Sequence, residues 1–292
     1  MTDFGRELRF GNFLVPNADD PLLETARELD ELGLDLIGVQ DHPYQRRFVE
    51  TFSLLGMVLA RTSRISVFPD VANLPLRPPG VLAKTAASLD LLSGGRVELG
   101  LGAGGFVDAI AAYGGPRRSP GEALAALEEA ITVIRAVWSG ERNLRFAGSH
   151  YALTGAQSGP VPPHPIGIWI GAYGPRALAL TARVADGWVP SLRGDVAKLA
   201  TMTDRLDAAA ADAGRDPAEV RRILNVNGTI TDGRAEGLLH GPVDQWVDEL
   251  TDLATSYGID TFVLWSDGAQ YRRFAEEVAP AVRRQVATER AR

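Results

Sequence analysis

One carboxylic acid and one imidazole stand side by side in this chain, directly after a short apolar run. The run from Leu36 to Gln40 is followed by Asp41 and His42. An imidazole that titrates near neutral pH can move a proton to or from a substrate, and a neighbouring carboxylate can set its tautomer or orientation. We therefore take His42 and Asp41 as the candidate catalytic pair. The alternative is that His42 is an ordinary exposed loop histidine.

Polar or glycine-rich segments also follow other apolar runs. Asp70-Val71-Ala72-Asn73 follows one run, and Gly100, Gly102, Gly104 and Gly105 end the next. A third segment, Gly171-Ala172-Tyr173-Gly174, stands before Pro175 at the start of a predicted helix. Glycines let a flat ring or a phosphate approach the backbone, and amides at a helix N-terminus attract anions. Tight turns without a ligand are the alternative for both glycine-rich segments.

The glycines at 100, 102 and 105 match the dinucleotide-binding pattern Gly-x-Gly-x-x-Gly. That fold also needs an acid about twenty residues further on, at the end of the next strand. Here the corresponding region is Gly121-Glu122 at the start of an amphipathic helix, so we reject the dinucleotide interpretation. Histidine spacing predicts no metal site, and the absence of a Gly-x-Ser-x-Gly motif argues against a serine hydrolase.

An alternation of strands and helices would bring these segments together. Apolar runs predict eight strands, over residues 8–15, 36–40, 64–69, 96–101, 166–170, 187–190, 222–230 and 260–265. Helical spacing predicts a helix from Pro21 and others over 78–92, 120–138, 175–185, 195–213, 242–257 and 270–287. No helix is assigned between residues 41 and 63. Because most of the strands are fully apolar, as covered parallel strands are, the pattern favours a closed (β/α)8 barrel. In such a barrel the site lies at the carboxyl ends of the strands.

One stretch interrupts the alternation, from Ser139 to Pro165. Five residues between 155 and 163 are Gly or Pro, and the stretch holds two of the four histidines. Long loops of this kind in a compact domain are usually lids or insertions. We therefore predict one α/β domain over residues 1–292, with an insertion loop at 139–165 before strand 5.

Composition narrows the possible partners. The chain has 30 Lys and Arg against 37 Asp and Glu, a net charge of −7, which is the opposite of a nucleic-acid-binding surface. It has no cysteine, which excludes disulfides, thiolate catalysis and cysteine-bound metals. No long apolar window and no signal-like N-terminal segment are present. We expect a cytoplasmic protein that binds neither nucleic acid nor a membrane.

Three segments occur in a specific order: residues 89–104 around Ser93-Gly94-Gly95-Arg96, residues 168–175, and Ala185-Asp-Gly-Trp188. In this order they resemble the bacterial luciferase-like superfamily of flavin-dependent oxidoreductases, over nearly the full length of the chain. The motif ending at Arg96 precedes strand 4, at the bottom of the barrel. By position it marks the fold and lies away from the site.

The resemblance implies a luciferase-like TIM barrel that binds FMN or the deazaflavin coenzyme F420, often as a homodimer. It places Asp41-His42 beside the reactive ring, with His42 as proton relay. Asp70-Val71 falls at a bulge where the family has a non-proline cis peptide behind the ring, although an aspartate is unusual there. The cofactor-binding residues that follow from the resemblance are Asp70, Val71, Asn73, Gly102, Gly104, Asp108, Gly171, Ala172, Tyr173 and Gly174.

Two chemistries stay open on this resemblance. With the deazaflavin, a hydride moves directly between the ring and a small organic substrate, and His42 balances the proton. With reduced FMN, supplied by a separate reductase, the protein would be a two-component monooxygenase that inserts oxygen from O2. The Asp-His pair and Asp70-Val71 favour the deazaflavin. A non-catalytic flavin-binding homologue is the alternative from another class, because Gly105 stands where some members carry a catalytic acid. After the last strand, Trp265 and Asp267 are candidates for substrate or phosphate contact.

Overall fold

Eight parallel strands alternate with helices in the computed structural model, which describes residues 3–192, 194–266 and 268–292. All eight lie where the apolar runs predict them. Their bounds are Arg9–Leu14 (β1), Leu36–Val39 (β2), Ser66–Pro69 (β3), Leu99–Gly102 (β4), Ile168–Ile170 (β5), Gly187–Trp188 (β6), Arg221–Asn227 (β7) and Thr261–Trp265 (β8).

The sheet formed by these strands closes on itself. Hydrogen-bonded neighbours run in the order β3-β2-β1-β8-β7-β6-β5-β4, and the two-residue strand Ala72–Asn73 pairs with β4. Between β3 and β4, Val67 donates its N–H to the Arg96 carbonyl at 2.9 Å and accepts from the Glu98 N–H at 3.0 Å. The predicted (β/α)8 barrel is confirmed, and an open dinucleotide-binding sheet is excluded.

Helices cover the outside of the barrel. They are Leu22–Glu31 (α1), Thr51–Arg61 (α2), Pro79–Ser93 (α3), Pro120–Trp138 (α4), Pro175–Val184 (α5), Val196–Asp212 (α6) and Val243–Tyr257 (α7). After β8 come Gly268–Arg273, a π-helical turn Phe274–Val278 and Ala279–Arg290. A short helix, Val107–Ala112, precedes α4. Within the described ranges, no helix is long and apolar enough to cross a membrane.

Helix α2 was not predicted, and its sequence explains the omission. Its face toward the barrel and much of its outer surface are apolar, so no clear polar stripe marks the helical period. Its N-cap is Glu50, whose carboxylate accepts from the N–H groups of Phe52 and Ser53. Glutamate is not among the preferred N-cap residues, so the start of the helix also lacked a recognisable signal.

The interior of the barrel is filled with large apolar side chains. Phe13, Leu36, Phe68, Trp169, Ile223 and Val263 form one cluster there. Phe68 and Trp169 meet edge to face, with ring centroids 5.0 Å apart. Side chains therefore fill the interior of the barrel, and any ligand site must lie beyond this cluster, at one end of the strands.

The insertion at 139–165 is more ordered than predicted. It contains an antiparallel hairpin of Leu144–Ala147 and Ala152–Ala156, which the Gly- and Pro-rich composition did not indicate. The hairpin turn is fixed to α4, because the Glu129 carboxylate accepts from the N–H groups of Ser149, His150 and Tyr151 at 2.7–3.0 Å. The hairpin thus lies along the outside of α4, and the insertion is a surface addition to the barrel.

Arg96, in the motif that precedes β4, joins three backbone segments at the amino-terminal end of the barrel. Its guanidinium donates to the carbonyls of Leu59, Ile65 and Ser93 at 2.7–3.1 Å. Leu59 belongs to the last turn of α2, whose carbonyls have no partner within the helix. Arg96 is therefore a structural residue, as its position in the sequence predicts.

Arg96→Lys is expected to lower the free energy of unfolding by about 2 kcal/mol, because a single ammonium cannot reach carbonyls on three segments at once. Urea unfolding followed by circular dichroism measures this change. Arg142→Lys, at an exposed position, is the matched control and should have little effect. An Arg96→Lys protein as stable as the parent would contradict the structural role.

Candidate functional site

A cavity of about 1240 Å³ opens at the carboxyl ends of the strands. Its walls come from the loops after β2, β3, β4 and β5 and from the ends of β7 and β8. The structure thus brings together segments that are far apart in the sequence, as expected for a barrel. The predicted site residues that line the cavity are Asp41, His42, Asp70, Val71, Asn73, Gly102, Gly104, Gly171 and Tyr173.

Asp41 does not orient the ring of His42, contrary to our expectation. Its buried carboxylate makes a two-pronged ion pair with Arg77, with both N–O distances 2.7 Å, and also accepts from the Asn73 N–H at 2.8 Å. Both oxygens are therefore already engaged. A buried carboxylate needs such compensation, and a bidentate guanidinium provides it. Asp41 acts on His42 through its charge and fixes the loops after β2 and β3 to each other.

Arg77 is a site residue that the sequence did not reveal. Besides Asp41 it contacts Glu50, the N-cap of α2, at 2.7 Å, and its guanidinium lies 4.4 Å from the centre of the Phe52 ring. These contacts connect the start of α2 to the cavity wall. Arg77 lies 36 positions from Asp41 in the chain, so no local pattern links the two.

His42 lies in an aromatic wall of the cavity. Its ring is 5.3 Å from that of Tyr44 and 5.2 Å from that of Phe106, measured between centroids. Burial lowers the pKa of His42 below its usual 6.5, and the negative charge of Asp41 opposes this only in part. At neutral pH His42 is therefore a neutral imidazole, which can accept a proton.

Tyr44 is the hydrogen-bond partner of His42 Nδ1. The Tyr44 hydroxyl lies 3.2 Å from His42 Nδ1. Burial and the charge of Asp41 raise the pKa of Tyr44 above 10, so its hydroxyl keeps its proton. If His42 Nδ1–H donates to the tyrosine oxygen, Nε2 is free to accept a proton. If the hydroxyl donates instead, Nε2 carries the hydrogen and can only donate a hydrogen bond.

Asp70 lies at the floor of the cavity and is only 8% exposed. Its Oδ1 accepts from the Asn225 side-chain amide of β7 at 3.1 Å, whereas its buried Oδ2 has no hydrogen-bond partner among the described residues. Burial raises the pKa of Asp70 to about 7, although the Asn225 hydrogen bond works in the opposite direction. Asn225 was missed because it lies within a strand; a polar residue inside a buried strand was the available signal.

Val71 is held at the cavity wall by a group of glycines. The peptide bond between Asp70 and Val71 is cis, as the resemblance implied. A Cβ added at Gly102 would lie 2.8 Å from Val71 Cγ2, and one at Gly171 would lie 3.2 Å from the same atom. These glycines were predicted to let a ring or phosphate approach the backbone. In the structure they line the cavity and also make room for the Val71 side chain.

Gly104 serves the loop conformation. Its φ is +90°, and an added Cβ would lie 2.5 Å from the Pro75 ring and 2.9 Å from Ile110. Gly105, next to it, has open space around its Cβ direction. The loop therefore needs glycine at 104 but tolerates a side chain at 105.

The segment Gly171–Gly174 contributes to the cavity unevenly. The Tyr173 hydroxyl accepts from the Ser191 N–H at 3.1 Å, and Gly171 donates its N–H to Leu101 at 3.1 Å. Ala172 is buried and its carbonyl accepts from the Trp188 indole at 2.9 Å, while Gly174 is the N-cap of α5. Neither Ala172 nor Gly174 lines the cavity.

Asp108 is not among the cavity-lining residues, although we predicted it to bind the cofactor. Its side chain is 93% exposed and pairs with Arg117 at 2.7 Å. Lining residues that we did not assign to the cofactor site include Arg118 and His240, the latter in the two-residue strand His240–Gly241. Trp265 also lines the cavity, whereas Asp267 lies outside the described residues.

The chain is similar to known proteins in both sequence and structure. A family model described as luciferase-like monooxygenase matches residues 13–240. An F420-dependent glucose-6-phosphate dehydrogenase of Microbacterium testaceum is 31% identical over 229 residues, covering 75% of this chain and 67% of that protein. A phthiodiolone/phenolphthiodiolone dimycocerosates ketoreductase of Mycobacterium kansasii is 33% identical over 208 residues, covering 70% and 55%.

The matched segments span about half to two thirds of the length of these and similar curated relatives. Among solved structures, an F420-dependent secondary alcohol dehydrogenase with an F420-acetone adduct superposes with a TM-score of 0.82. It is 19% identical, and the match covers 95% of this chain and 99% of that one. This likeness confirms the barrel fold.

Gly102→Ala is expected to displace Val71, because the added methyl would lie 2.8 Å from Val71 Cγ2. Ligand affinity at the cavity should fall at least about tenfold, a loss of about 1.4 kcal/mol, while the fold persists. Gly105→Ala in the same loop is the matched control, since it adds a methyl into open space. Cofactor titrations monitored by tryptophan fluorescence compare the two. Equal affinities would show that the position of Val71 is unimportant for binding.

Proposed function

Because the chain belongs to the luciferase-like monooxygenase family, we propose that it is a deazaflavin-dependent oxidoreductase that interconverts an alcohol and a carbonyl compound. The observation that carries the proposal is the position of His42 in the aromatic wall of the cavity that Val71 also lines. Two relatives support the cofactor or the substrate class through their names: an F420-dependent dehydrogenase and a ketoreductase.

The residues present fit a flat ring cofactor. The cavity has an aromatic wall at Tyr44 and Phe106, a branched side chain at Val71, and a floor with unpartnered buried oxygens at Asp70 and Asn225. Unpartnered polar atoms in an otherwise apolar floor are typical of a surface that a ligand completes. Val71 would support the ring, and Tyr173 and the N-terminus of α5 would lie toward its anionic tail.

When bound, a deazaflavin accepts or supplies a hydride at a ring carbon. Oxidation of an alcohol also releases the hydroxyl proton, and His42 Nε2 takes that proton when Nδ1–H donates to Tyr44. Reduction of a carbonyl is the reverse step: the imidazolium of His42 gives its Nε2 proton to the carbonyl oxygen and returns to the neutral form with Nδ1–H donating to Tyr44. Asp41 stabilises the resulting imidazolium by its charge, without a hydrogen bond to the ring.

The proposed substrate class stops at alcohols and carbonyl compounds. Gly105 lines the cavity where the family resemblance places a catalytic acid in a sugar-phosphate dehydrogenase, and it offers no carboxylate. Glucose 6-phosphate is therefore not proposed as the substrate. Reduced FMN with a separate flavin reductase remains the competing assignment, and it is one outcome of the binding experiment below.

Equilibrium titrations with coenzyme F420 and with FMN, each oxidised and reduced, test the cofactor. We expect tighter binding of the deazaflavin, measured by tryptophan quenching. Tight binding of reduced FMN alone would assign a two-component monooxygenase instead, and binding of neither would overturn the proposal.

The pH dependence of turnover tests His42. As a base, His42 must be neutral, so kcat for alcohol oxidation should fall as the pH drops through its pKa, which lies below 6.5. His42→Gln should remove this limb and lower kcat by about 10²- to 10⁴-fold. His240→Gln, a matched change at the cavity rim, should retain the limb. An unchanged profile in His42→Gln would exclude the relay.

We also propose that the chain forms a homodimer through the outer faces of α2 and α3. Large apolar side chains are exposed there: Met57 on α2, and Val81 and Leu92, 64% and 83% exposed, on α3. Val81 and Leu92 are eleven residues apart, about three helical turns, and so lie on one face. Exposed apolar patches of this kind are typical of subunit interfaces.

Leu92→Glu should convert the dimer to a monomer, because it places a charge in the apolar contact. Size-exclusion chromatography with light scattering gives the mass. Val161→Glu replaces another exposed apolar residue and should leave the dimer intact. A monomeric parent protein would contradict the proposed interface.

A further inference from the structure

Asp70 lines the cavity with only one of its two carboxylate oxygens hydrogen-bonded within the described part of the chain. Its N–H donates to the Val39 carbonyl at 2.7 Å, and its Oδ1 accepts from Asn225. The first contact holds the backbone of Asp70, and the second holds one oxygen of its carboxyl group. Oδ2 is buried with no hydrogen-bond partner among the described residues, although Asp70 lines the cavity. A buried polar atom without a partner is costly, so a ligand contact is the natural completion.

The surroundings of Asp70 Oδ2 are apolar or backbone. A Cβ built on Gly38 of β2 would lie 2.9 Å from Oδ2 and 2.8 Å from the Phe68 ring of β3. Oδ2 therefore lies in the space that the missing side chain of Gly38 leaves free, close to the Phe68 ring. On the side of β7, Asn225 contributes a neutral amide. None of these neighbours carries a positive charge that would stabilise a carboxylate.

Charged side chains in and behind the cavity wall do not offset the burial of Asp70. Arg77, the guanidinium on the β3 side, is shared by Asp41 and Glu50. Burial and the Asn225 hydrogen bond are the causes that shift the pKa of Asp70, and no charged side chain contributes. The titratable side chains that line the cavity with Asp70 are Asp41, His42, Tyr44, Arg118, Tyr173 and His240.

We propose that Asp70 is a neutral carboxylic acid when the cofactor is bound, and that its Oδ2–H donates a hydrogen bond to a carbonyl oxygen or ring nitrogen of that cofactor. A ring over the cavity floor would remove the remaining water from the carboxyl group, which disfavours the ionised form further. The neutral acid then needs an acceptor, and the described protein atoms around Oδ2 provide none.

Asn225 adds one hydrogen-bond acceptor to the proposed contact between Asp70 and the cofactor. Its Oδ1 is also buried and has no hydrogen-bond partner among the described residues, while its side-chain N–H donates to Asp70. With Asp70 neutral, the pair therefore holds one unused donor and one unused acceptor, on two residues that line the cavity. This combination is complementary to a ring edge that carries a carbonyl beside an N–H, as in a cyclic imide. The inference rests on the proposed function, since it specifies how that cofactor is read.

The affinity of coenzyme F420 as a function of pH tests the inference without catalysis. Because the bound state requires the protonated acid, the Kd should be constant below about pH 7, where Asp70 is already neutral in the empty cavity. Above that value the Kd should rise by about tenfold per pH unit. Ionisation of free F420 is measured separately by absorbance and divided out.

Asp70→Asn supplies the decisive comparison. The amide keeps a donor of the same shape but does not titrate, so its Kd should match that of the parent at low pH and stay flat to about pH 9. Asp70→Ala should bind at least about tenfold more weakly at every pH. His42→Gln should keep the pH dependence of the parent, which would exclude His42 as its source.

Infrared difference spectroscopy of the parent protein gives a second readout that needs no variant. Binding of F420 at about pH 8 should produce the carbonyl band of a protonated carboxyl group, together with uptake of one proton. A flat Kd in the parent, or a pH dependence retained in Asp70→Asn, would overturn the inference. If F420 does not bind at all, the proposed function fails; if it binds with a flat Kd, only the role of Asp70 fails.

Discussion

The ion pair between Asp41 and Arg77 is the interaction on which the geometry of the cavity depends. It joins the loop after β2, which carries His42, to the segment after β3, which carries Val71, and through Glu50 it also holds the start of α2. Both partners are largely buried, so loss of either would leave a desolvated charge, which costs more than the pair itself contributes. The part of the cavity wall that carries His42 and the part that carries Val71 are therefore held together by one set of ion pairs.

Burial has a common effect on His42 and Asp70, two titratable residues that line the cavity. It lowers the pKa of His42 and raises that of Asp70, and in both cases the neutral form gains. The two pKa values move in opposite directions because ionised histidine is positive and ionised aspartate is negative, although burial is the cause of both shifts. Asp41, by contrast, keeps its charge because Arg77 pairs with it. The cavity thus combines two titratable groups whose neutral forms are favoured with a fixed charge pair beside them.

The sequence was sufficient for the barrel because each strand carries its own apolar run and the alternation repeats along the chain. It was insufficient for α2, where the helix has too little polar surface to show its period, and for the hairpin beside α4, where glycines and prolines obscured the strands. Among site residues, His42 and Asp70 follow strands directly and could be found by position. Arg77 could not, because its partner Asp41 is distant in the chain. Asn225 offered one signal, a polar residue inside a buried strand, but its partner Asp70 is also distant.

The glycines illustrate a second limit. Their spacing suggested an approach of the ligand to the backbone, and Gly102, Gly104, Gly105 and Gly171 do line the cavity. Gly102 and Gly171 also leave space for a neighbouring side chain, Val71. A sequence shows where side-chain volume is missing, but only the folded chain shows which atom occupies the space. The same pattern can therefore serve a ligand, a side chain or both.

The hairpin on the outside of α4 contacts a residue that lines the cavity. Tyr151, at the start of its second half, lies with its hydroxyl 3.3 Å from Arg118 Nη1 and its ring 5.4 Å below that guanidinium, and Arg118 lines the cavity. The hairpin tip is attached to the helix by backbone N–H groups, so its side chains can vary without loss of that attachment. Sequence changes in the hairpin during evolution could thus alter the position of the Arg118 guanidinium at the cavity while the barrel strands stay the same.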